Sequence, residues 1–127
     1  MLVTVLGVVA DALPAGSPGI HPAVEAAAGR LEAEPGREWS VAELGREVGM
    51  HPAGLARRFS EELGEPPMAR LRALRLEAAA TALRETARPI GEIGAAVGYP
   101  DANLFARRFR ARYGATPTAW RAEARAR

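Results

Sequence analysis

The sequence predicts an all-α fold, because helical periodicity in the middle of the chain is combined with a repeated segment on either side of it. Residues 71–83 contain neither glycine nor proline, and their apolar side chains recur at helical spacing. The flanking residues 41–67 and 90–117 carry one pattern twice. We therefore predict two helix-turn-helix subdomains, each a homeodomain-like three-helix lobe, joined by a long central helix, with about seven helices in all.

The repeat runs through the whole of both copies. In the first half of each copy the matching residues lie 49 positions apart, as Gly49 and Gly98 do. In the second half they lie 50 positions apart, as Phe59 and Phe109 do, so the second copy has one additional residue in its turn. An Arg-Arg pair directly before each of these phenylalanines belongs to the repeat.

Local signals place the helices of the first copy. Helix 1 is expected to begin at Pro22, because proline suits a first helical position. Ser40 and Glu43 make an S-x-x-E capping box, so helix 2 is expected to begin directly after Ser40 and to stop at Gly49. Pro52 then opens helix 3, and a glycine follows its expected last residue.

The second copy follows the long helix and shows similar signals. Helix 5 is expected after the break at residues 86–89 and ends in a glycine turn. Asp101 is a good N-cap for helix 6, which we expect to run to about Tyr113. A short final helix from Pro117 is expected to leave Arg121 exposed.

Apolar side chains in helices 3 and 6 recur at every fourth residue and are therefore expected to face the core. They are Leu55, Phe59 and Leu63 in helix 3 and Phe105, Phe109 and Tyr113 in helix 6. We interpret the rings as packing residues rather than as platforms on which nucleobases stack.

Charge and composition narrow the possible functions. All 17 basic residues are arginines, which we attribute to a GC-rich coding bias. Residues 1–65 hold five arginines and ten acidic residues, whereas residues 66–127 hold twelve arginines and five acidic residues. The C-terminal half, with a net charge of +7, is thus the part suited to a polyanion.

Several kinds of site are excluded by composition. The chain contains no cysteine, which excludes disulfides and cysteine nucleophiles and agrees with a cytoplasmic location. Its histidines, His21 and His51, are too few for a multi-histidine metal site. No pattern of paired carboxylates or of an activated nucleophile is present. We therefore expect a protein that is not an enzyme and has neither a cofactor nor a metal.

Each copy contains a short helix, a glycine turn and a second amphipathic helix, which is the helix-turn-helix signature. In such a unit the second helix can enter the DNA major groove with its N-terminal half. The exposed face is expected to hold His51, Ala53, Gly54, Ala56, Arg57 and Arg58 in helix 3, and Asp101, Ala102, Asn103, Ala106, Arg107 and Arg108 in helix 6. The two matched copies therefore indicate DNA binding.

Residue type suggests a role for each polar side chain on these faces. Arg57 and Arg107 lie near the middle of their helices, where a guanidinium can contact guanine O6 and N7 together, and Asn103 can pair with adenine. Candidates for phosphate contacts are His51, Arg58, Arg108, Arg110 and Arg112. The alternatives are that the arginines form a solvated face and that the histidine caps helix 3.

Two sequence motifs are specific enough to resemble a known family. Residues 98–117 read G-Y-x-D-x-x-x-F-x-R-x-F-R-x-x-Y-G-x-T-P, and residues 49–59 read G-M-x-x-x-x-L-x-R-x-F. Together with Arg75 and the Trp120-Arg121 pair, they resemble the C-terminal DNA-binding domain of the AraC/XylS-type bacterial transcription regulators. The resemblance covers residues 37–121.

The resemblance implies two recognition helices that enter successive major grooves on one face of the DNA. Carried over by position, base reading falls on Ala53, Ala56 and Arg57 in helix 3 and on Ala102, Asn103, Ala106 and Arg107 in helix 6. The small residues of helix 3 stand where the family often has polar ones, which weakens the expectation of direct readout by that helix.

The predicted domains follow from the repeat and the resemblance. Residues 1–20 form an apolar arm and linker, and residues 21–127 form the DNA-binding domain, divided into lobe one (21–66), a linker helix (67–85) and lobe two (86–127). The arm is too short for a membrane span, which takes roughly 20 apolar residues. Since family members often carry an N-terminal effector domain, the arm favours a fragment of a longer protein.

The predicted function is sequence-specific binding of double-stranded DNA that regulates transcription. RNA polymerase is a further candidate partner, and an effector is expected only with a missing N-terminal domain. The alternative is a protein-interaction module that contacts RNA polymerase or a partner regulator and has little DNA affinity. Salt separates the two, because DNA binding through several arginines weakens steeply as the salt concentration rises.

Overall fold

The computed structural model describes residues 19–126, which contain seven α-helices and no β-strand. The helices are α1 (Pro22–Ala33), α2 (Val41–Val48), α3 (Pro52–Leu63), α4 (Pro67–Glu85), α5 (Ile90–Ala96), α6 (Ala102–Tyr113) and α7 (Pro117–Arg125). The predicted all-α class is confirmed. The expected N-terminal arm lies outside the described residues, except for its last two positions.

Local capping interactions fix the helix ends at the predicted positions. The Ser40 hydroxyl accepts a hydrogen bond from the Glu43 N–H at 3.0 Å, at the start of α2. Gly49, Gly64 and Gly114 follow α2, α3 and α6 with φ values of 75°, 87° and 80°. These left-handed conformations are accessible to glycine at little cost, so the glycines end the three helices.

The helices form two units that are not contiguous in the sequence. Among the described residues, the first unit contains residues 19–30 together with Ser40–Pro67. The second unit contains Leu31–Trp39 together with residues 68–126, and therefore nearly all of α4. The loop between α1 and α2 thus belongs to a different unit from most of the helices that it connects.

The first unit buries side chains from each of its three helices. They are Val24 and Ala27 in α1, Leu44 in α2, and Leu55 and Phe59 in α3. The prediction that Leu63 faces this core is wrong, because its side chain is 36% exposed. Leu63 is the last residue of α3, where the chain turns away at Gly64.

The second unit packs α4, α5 and α6 around one apolar cluster. Its members include Leu76, Leu83, Ile93, Phe105 and Phe109. The Phe109 ring lies 5.9 Å from that of Phe105, 4.6 Å from that of Tyr113 and 5.8 Å from that of Trp120, between centroids. These contacts confirm that the aromatic row of α6 packs inward.

Two equivalent glycines allow close contacts inside the helix-turn-helix units. Gly45 and Gly94 are 49 positions apart and are both buried, in α2 and α5. A Cβ at Gly94 would lie 2.7 Å from Cδ2 of Phe105, and one at Gly45 would lie 2.5 Å from the carbonyl oxygen of Met50. Since both separations are too short for carbon, any side chain at either position displaces its neighbour.

Arg75 of α4 holds the loop that follows α1. Its Nε donates a hydrogen bond to the carbonyl oxygen of Pro35 at 2.8 Å, and its Nη2 donates one to that of Arg37 at 2.9 Å. A Cβ at Gly36 would collide with the carbonyl group of Ala96 in α5. The loop is thus fixed to the second unit by hydrogen bonds and by close packing.

The expectation that Arg121 is exposed is wrong. Its side chain is half-buried, and it donates hydrogen bonds to the carbonyl oxygens of Leu83 at 3.0 Å, Thr86 at 3.2 Å and Arg88 at 2.7 Å. Carbonyl groups at a helix C-terminus lack partners within the helix, so the guanidinium satisfies the end of α4. Arg125 donates to Thr86 as well.

Candidate nucleic-acid interface

The second helix of each helix-turn-helix presents one face to solvent. In α3 and the residue before it, His51, Ala53 and Arg57 are exposed, and Ala56 and Arg58 are half-exposed. In α6, Ala102, Asn103, Arg107, Arg108, Arg110 and Arg112 are exposed, and Ala106 is half-exposed. Each predicted site residue is therefore accessible, and each unit carries one set.

His51 caps α3. Its Nδ1 accepts a hydrogen bond from the backbone N–H of Ala53 at 3.2 Å, which satisfies one of the free donors at the helix N-terminus. The side chain is also exposed, so the cap leaves its outer edge open to a ligand. This hydrogen bond supports the alternative role of His51 as the cap of helix 3.

The arginines of α3 lie beside acidic residues of the same helix. Arg57 Nη1 is 3.6 Å from Glu61 Oε1, and Arg58 Nη1 is 3.4 Å from Glu62 Oε2. Glu62 also accepts a hydrogen bond from the backbone N–H of His21 at 2.8 Å and is only 15% exposed, whereas Glu61 is 62% exposed. Glu62 therefore helps to attach α1 to α3, while Glu61 contacts solvent.

The N-terminus of α6 is fixed by Asp101. Its Oδ1 accepts hydrogen bonds from the N–H groups of Asn103 at 2.9 Å and Leu104 at 3.1 Å. The predicted cap is thus confirmed. Because the cap uses the backbone of Asn103, the exposed amide side chain of that residue is left to face solvent.

Most of the arginines on α6 are available to a ligand. Within residues 19–126, no ion pair or hydrogen bond engages the side chains of Arg107, Arg108 or Arg110, and all three are exposed. Arg112 differs, because its Nη2 lies 2.8 Å from Glu77 Oε2 of α4. Any phosphate contact by Arg112 competes with this ion pair.

The acidic partners of these arginines were not predicted from the sequence. Glu61 and Glu62 could have been found, since acidic and basic residues four positions apart are neighbours on a helix. Glu77 could not, because it is 35 positions from Arg112 and meets it only in the folded unit. These acids lower the net positive charge near some of the predicted contact residues.

Other classes of site receive no support from the part of the chain that the structure describes. None of its helices combines the length and apolar character needed to cross a membrane. No group of three or more metal-ligating side chains occurs among residues 19–126.

The fold and the two faces define a class of protein. Each unit holds a helix-turn-helix whose second helix presents an Arg-Arg pair on its outer side, at equivalent positions of an internal repeat. This arrangement is that of a tandem helix-turn-helix protein of the nucleic-acid-binding kind.

Comparison with known proteins identifies the family. A family model described as a helix-turn-helix domain matches residues 44–123. An AraC-like transcription regulator of Streptomyces antibioticus is 32% identical over 100 residues, which are 79% of this chain and 33% of the regulator. The chain belongs to the AraC-type helix-turn-helix family. It spans between 19% and 37% of the length of the curated relatives it matches.

Solved structures agree with this assignment. The C-terminal domain of AraT, a response regulator from Geobacillus stearothermophilus, superposes with a TM-score of 0.77 at 28% identity, covering 85% of this chain and 88% of that one. The DNA-binding domain of the global transcriptional factor AdpA, solved in complex with a target DNA, gives 0.74 at 27% identity, covering 83% and 94%. The latter protein therefore binds DNA with this fold.

Proposed function

We propose that residues 21–127 bind double-stranded DNA sequence-specifically, with α3 and α6 in the major groove, and thereby regulate transcription. The observation that carries the proposal is the presence of a solvent-accessible Arg-Arg pair at equivalent positions of two helix-turn-helix units. The AdpA domain in complex with a target DNA supports it, because that domain has the same fold.

Within this proposal, the contact residues divide into two groups. Base reading is assigned to Ala53, Ala56 and Arg57 of α3 and to Ala102, Asn103, Ala106 and Arg107 of α6. Phosphate contacts are assigned to His51, Arg58, Arg108, Arg110 and Arg112. Arg108 and Arg110 are the strongest candidates for phosphate binding, since neither has an ion-pair partner among the described residues.

The proposed role is not enzymatic and takes place in the cytoplasm, where bacterial DNA lies. RNA polymerase is a further proposed partner, and an effector is proposed only if a further N-terminal domain exists. The relatives support a regulatory role, since they are named as transcription regulators.

The test is selection of bound sites from a random duplex library. Sequence-specific binding predicts an enriched motif, and footprinting of that motif should show protection in two successive major grooves. Affinity should fall steeply with salt concentration, because arginine–phosphate contacts release counterions. Failure to enrich any motif, with weak binding at low salt, would instead support the protein-interaction module.

A further inference from the structure

The two recognition helices differ in charge, although they occupy equivalent positions of the repeat. The α3 helix holds two arginines and two glutamates, whereas α6 holds four arginines and no acidic residue. The Arg-Arg pairs of the two helices are equivalent at an offset of 50 positions. At the same offset, Glu61 corresponds to Ala111 and Glu62 corresponds to Arg112.

Glu61 stands on the exposed face that Arg57 shares. The two residues are four positions apart, so they lie on the same side of α3, and their charged groups are 3.6 Å apart. Both side chains are more than 60% exposed. A duplex that approaches Arg57 therefore also approaches the carboxylate of Glu61.

The carboxylate weakens phosphate binding in two ways. It attracts the guanidinium that would otherwise contact DNA, and it repels the phosphates directly. An exposed ion pair is weak, so the effect of removing Glu61 is expected to be moderate. No acidic residue occupies the equivalent position of α6, where Arg107 has no ion-pair partner among the described residues.

We infer that the carboxylate of Glu61 limits the DNA affinity of the first unit, so that α6 supplies most of the electrostatic attraction to DNA. This inference rests on the proposed DNA binding. It assigns Glu61 a role as an affinity-limiting residue, distinct from Glu62, whose hydrogen bond to the His21 N–H attaches α1.

The test measures the affinity of the Glu61→Gln variant of the full chain for a pool of random-sequence duplexes, each about 30 base pairs long, or roughly three helical turns. The variant should bind about two- to fivefold more tightly than the wild type at moderate salt, as expected for release of an exposed ion pair. The slope of log K against log salt should become steeper by about 0.9, corresponding to one additional phosphate contact.

A matched control removes the same charge elsewhere. Glu85 is also 62% exposed and lies 3.5 Å from an arginine, Arg84, but it belongs to α4 rather than to a recognition helix. Glu85→Gln should leave both affinity and salt slope close to those of the wild type. An equal gain from Glu61→Gln and Glu85→Gln would attribute the effect to net charge and overturn the inference.

The converse variant introduces an acidic residue at the equivalent position of α6. Ala111→Glu places a carboxylate four positions after Arg107 on an exposed position, and it should weaken binding and reduce the salt slope by about 0.9. If the wild type binds DNA, and both Glu61→Gln and Ala111→Glu melt normally and bind as the wild type does, the inference about Glu61 is wrong while the proposed function stands. If the wild type binds no duplex at low salt, the proposed function itself is wrong.

Discussion

Gly94 occupies a position where one methyl group decides how closely α5 lies against α6. Replacement by alanine would put a Cβ 2.7 Å from the Phe105 ring, which is itself 1% exposed and held by its neighbours. We expect Gly94→Ala to lower the free energy of unfolding by about 1–3 kcal/mol, the usual cost of overpacking. Denaturant titration followed by circular dichroism measures this change.

Gly91 provides the control on the same helix. A Cβ at Gly91 meets no atom within 4 Å, so Gly91→Ala should be neutral or stabilise the protein by up to about 1 kcal/mol through helix propensity. If Gly94→Ala raises stability as Gly91→Ala does, helix propensity dominates and the close contact at Gly94 is unimportant.

Arg107 is the residue for which the proposed base contact is easiest to test. Arg107→Ala should cost about 1–3 kcal/mol on the selected site and should relax specificity at one base pair. Competition binding against single-base variants of the site measures both effects. Arg108→Ala, its neighbour, should weaken binding about equally for all sequences, as expected for a phosphate contact.

Arg57 is the residue of α3 that corresponds to Arg107. Arg57→Ala should show the same loss of specificity at a different base pair, but with a smaller effect on affinity, because Arg57 already lies beside Glu61. Uniform loss of affinity for every sequence in Arg107→Ala would make this residue a phosphate contact and contradict the assignment.

At the scale of the helix, α3 and α6 each bury a phenylalanine at an equivalent position of the repeat. Phe59 and Phe109 are both completely buried. Phe59→Ala and Phe109→Ala should each lower stability by about 3–5 kcal/mol, which approaches the whole stability of a small unit. Thermal melting checks this, and DNA binding should be lost only as folding is lost. Reduced binding with unchanged melting would mean that the rings contact DNA.

The helix boundaries were predictable because local chemistry sets them. Ser40, Asp101, Gly49 and Gly114 act within one turn of their own positions, so their roles can be recognised from short motifs. The exposed faces of α3 and α6 were predictable for the same reason, since helical periodicity decides which side is apolar.

The errors concern residues whose surroundings are set by distant parts of the chain. Arg121 follows an exposed-looking pattern, yet its partners lie 33–38 positions earlier. Glu77 and Arg112 are 35 positions apart. Periodicity within a helix carries no information about such partners. The exposure of Leu63 was not predicted for another reason: the spacing of apolar residues along a helix does not show where the core beside it ends.

At the scale of the whole molecule, two recognition helices in one chain predict a dependence on the spacing of DNA half-sites. Inserting about five base pairs, half a helical turn, between the half-sites of the selected motif moves one of them to the opposite side of the duplex. We expect this insertion to remove the advantage of tandem binding, while a full turn should restore part of it. Titration of the three duplexes by fluorescence anisotropy measures the effect.

The difference in charge between α3 and α6 determines how much DNA binding should remain after the half-turn insertion. With the half-sites out of phase, the protein should retain the affinity supplied by α6, because Arg107, Arg108 and Arg110 have no ion-pair partner among the described residues. Indifference to the insertion would indicate that only one helix-turn-helix reads DNA.

Residues 34–39, in the loop between α1 and α2, leave the ribosome before the surface on which they pack has been synthesised. Arg75 and Ala96 follow Trp39 by 36 and 57 residues. At a synthesis rate of roughly 5–20 residues per second, the loop is therefore without its packing partners for several seconds. During that interval the nascent chain presents a tryptophan and unpaired carbonyl groups that the finished protein covers. A chaperone or a protease therefore has its best access to this loop in the interval before α5 has been synthesised.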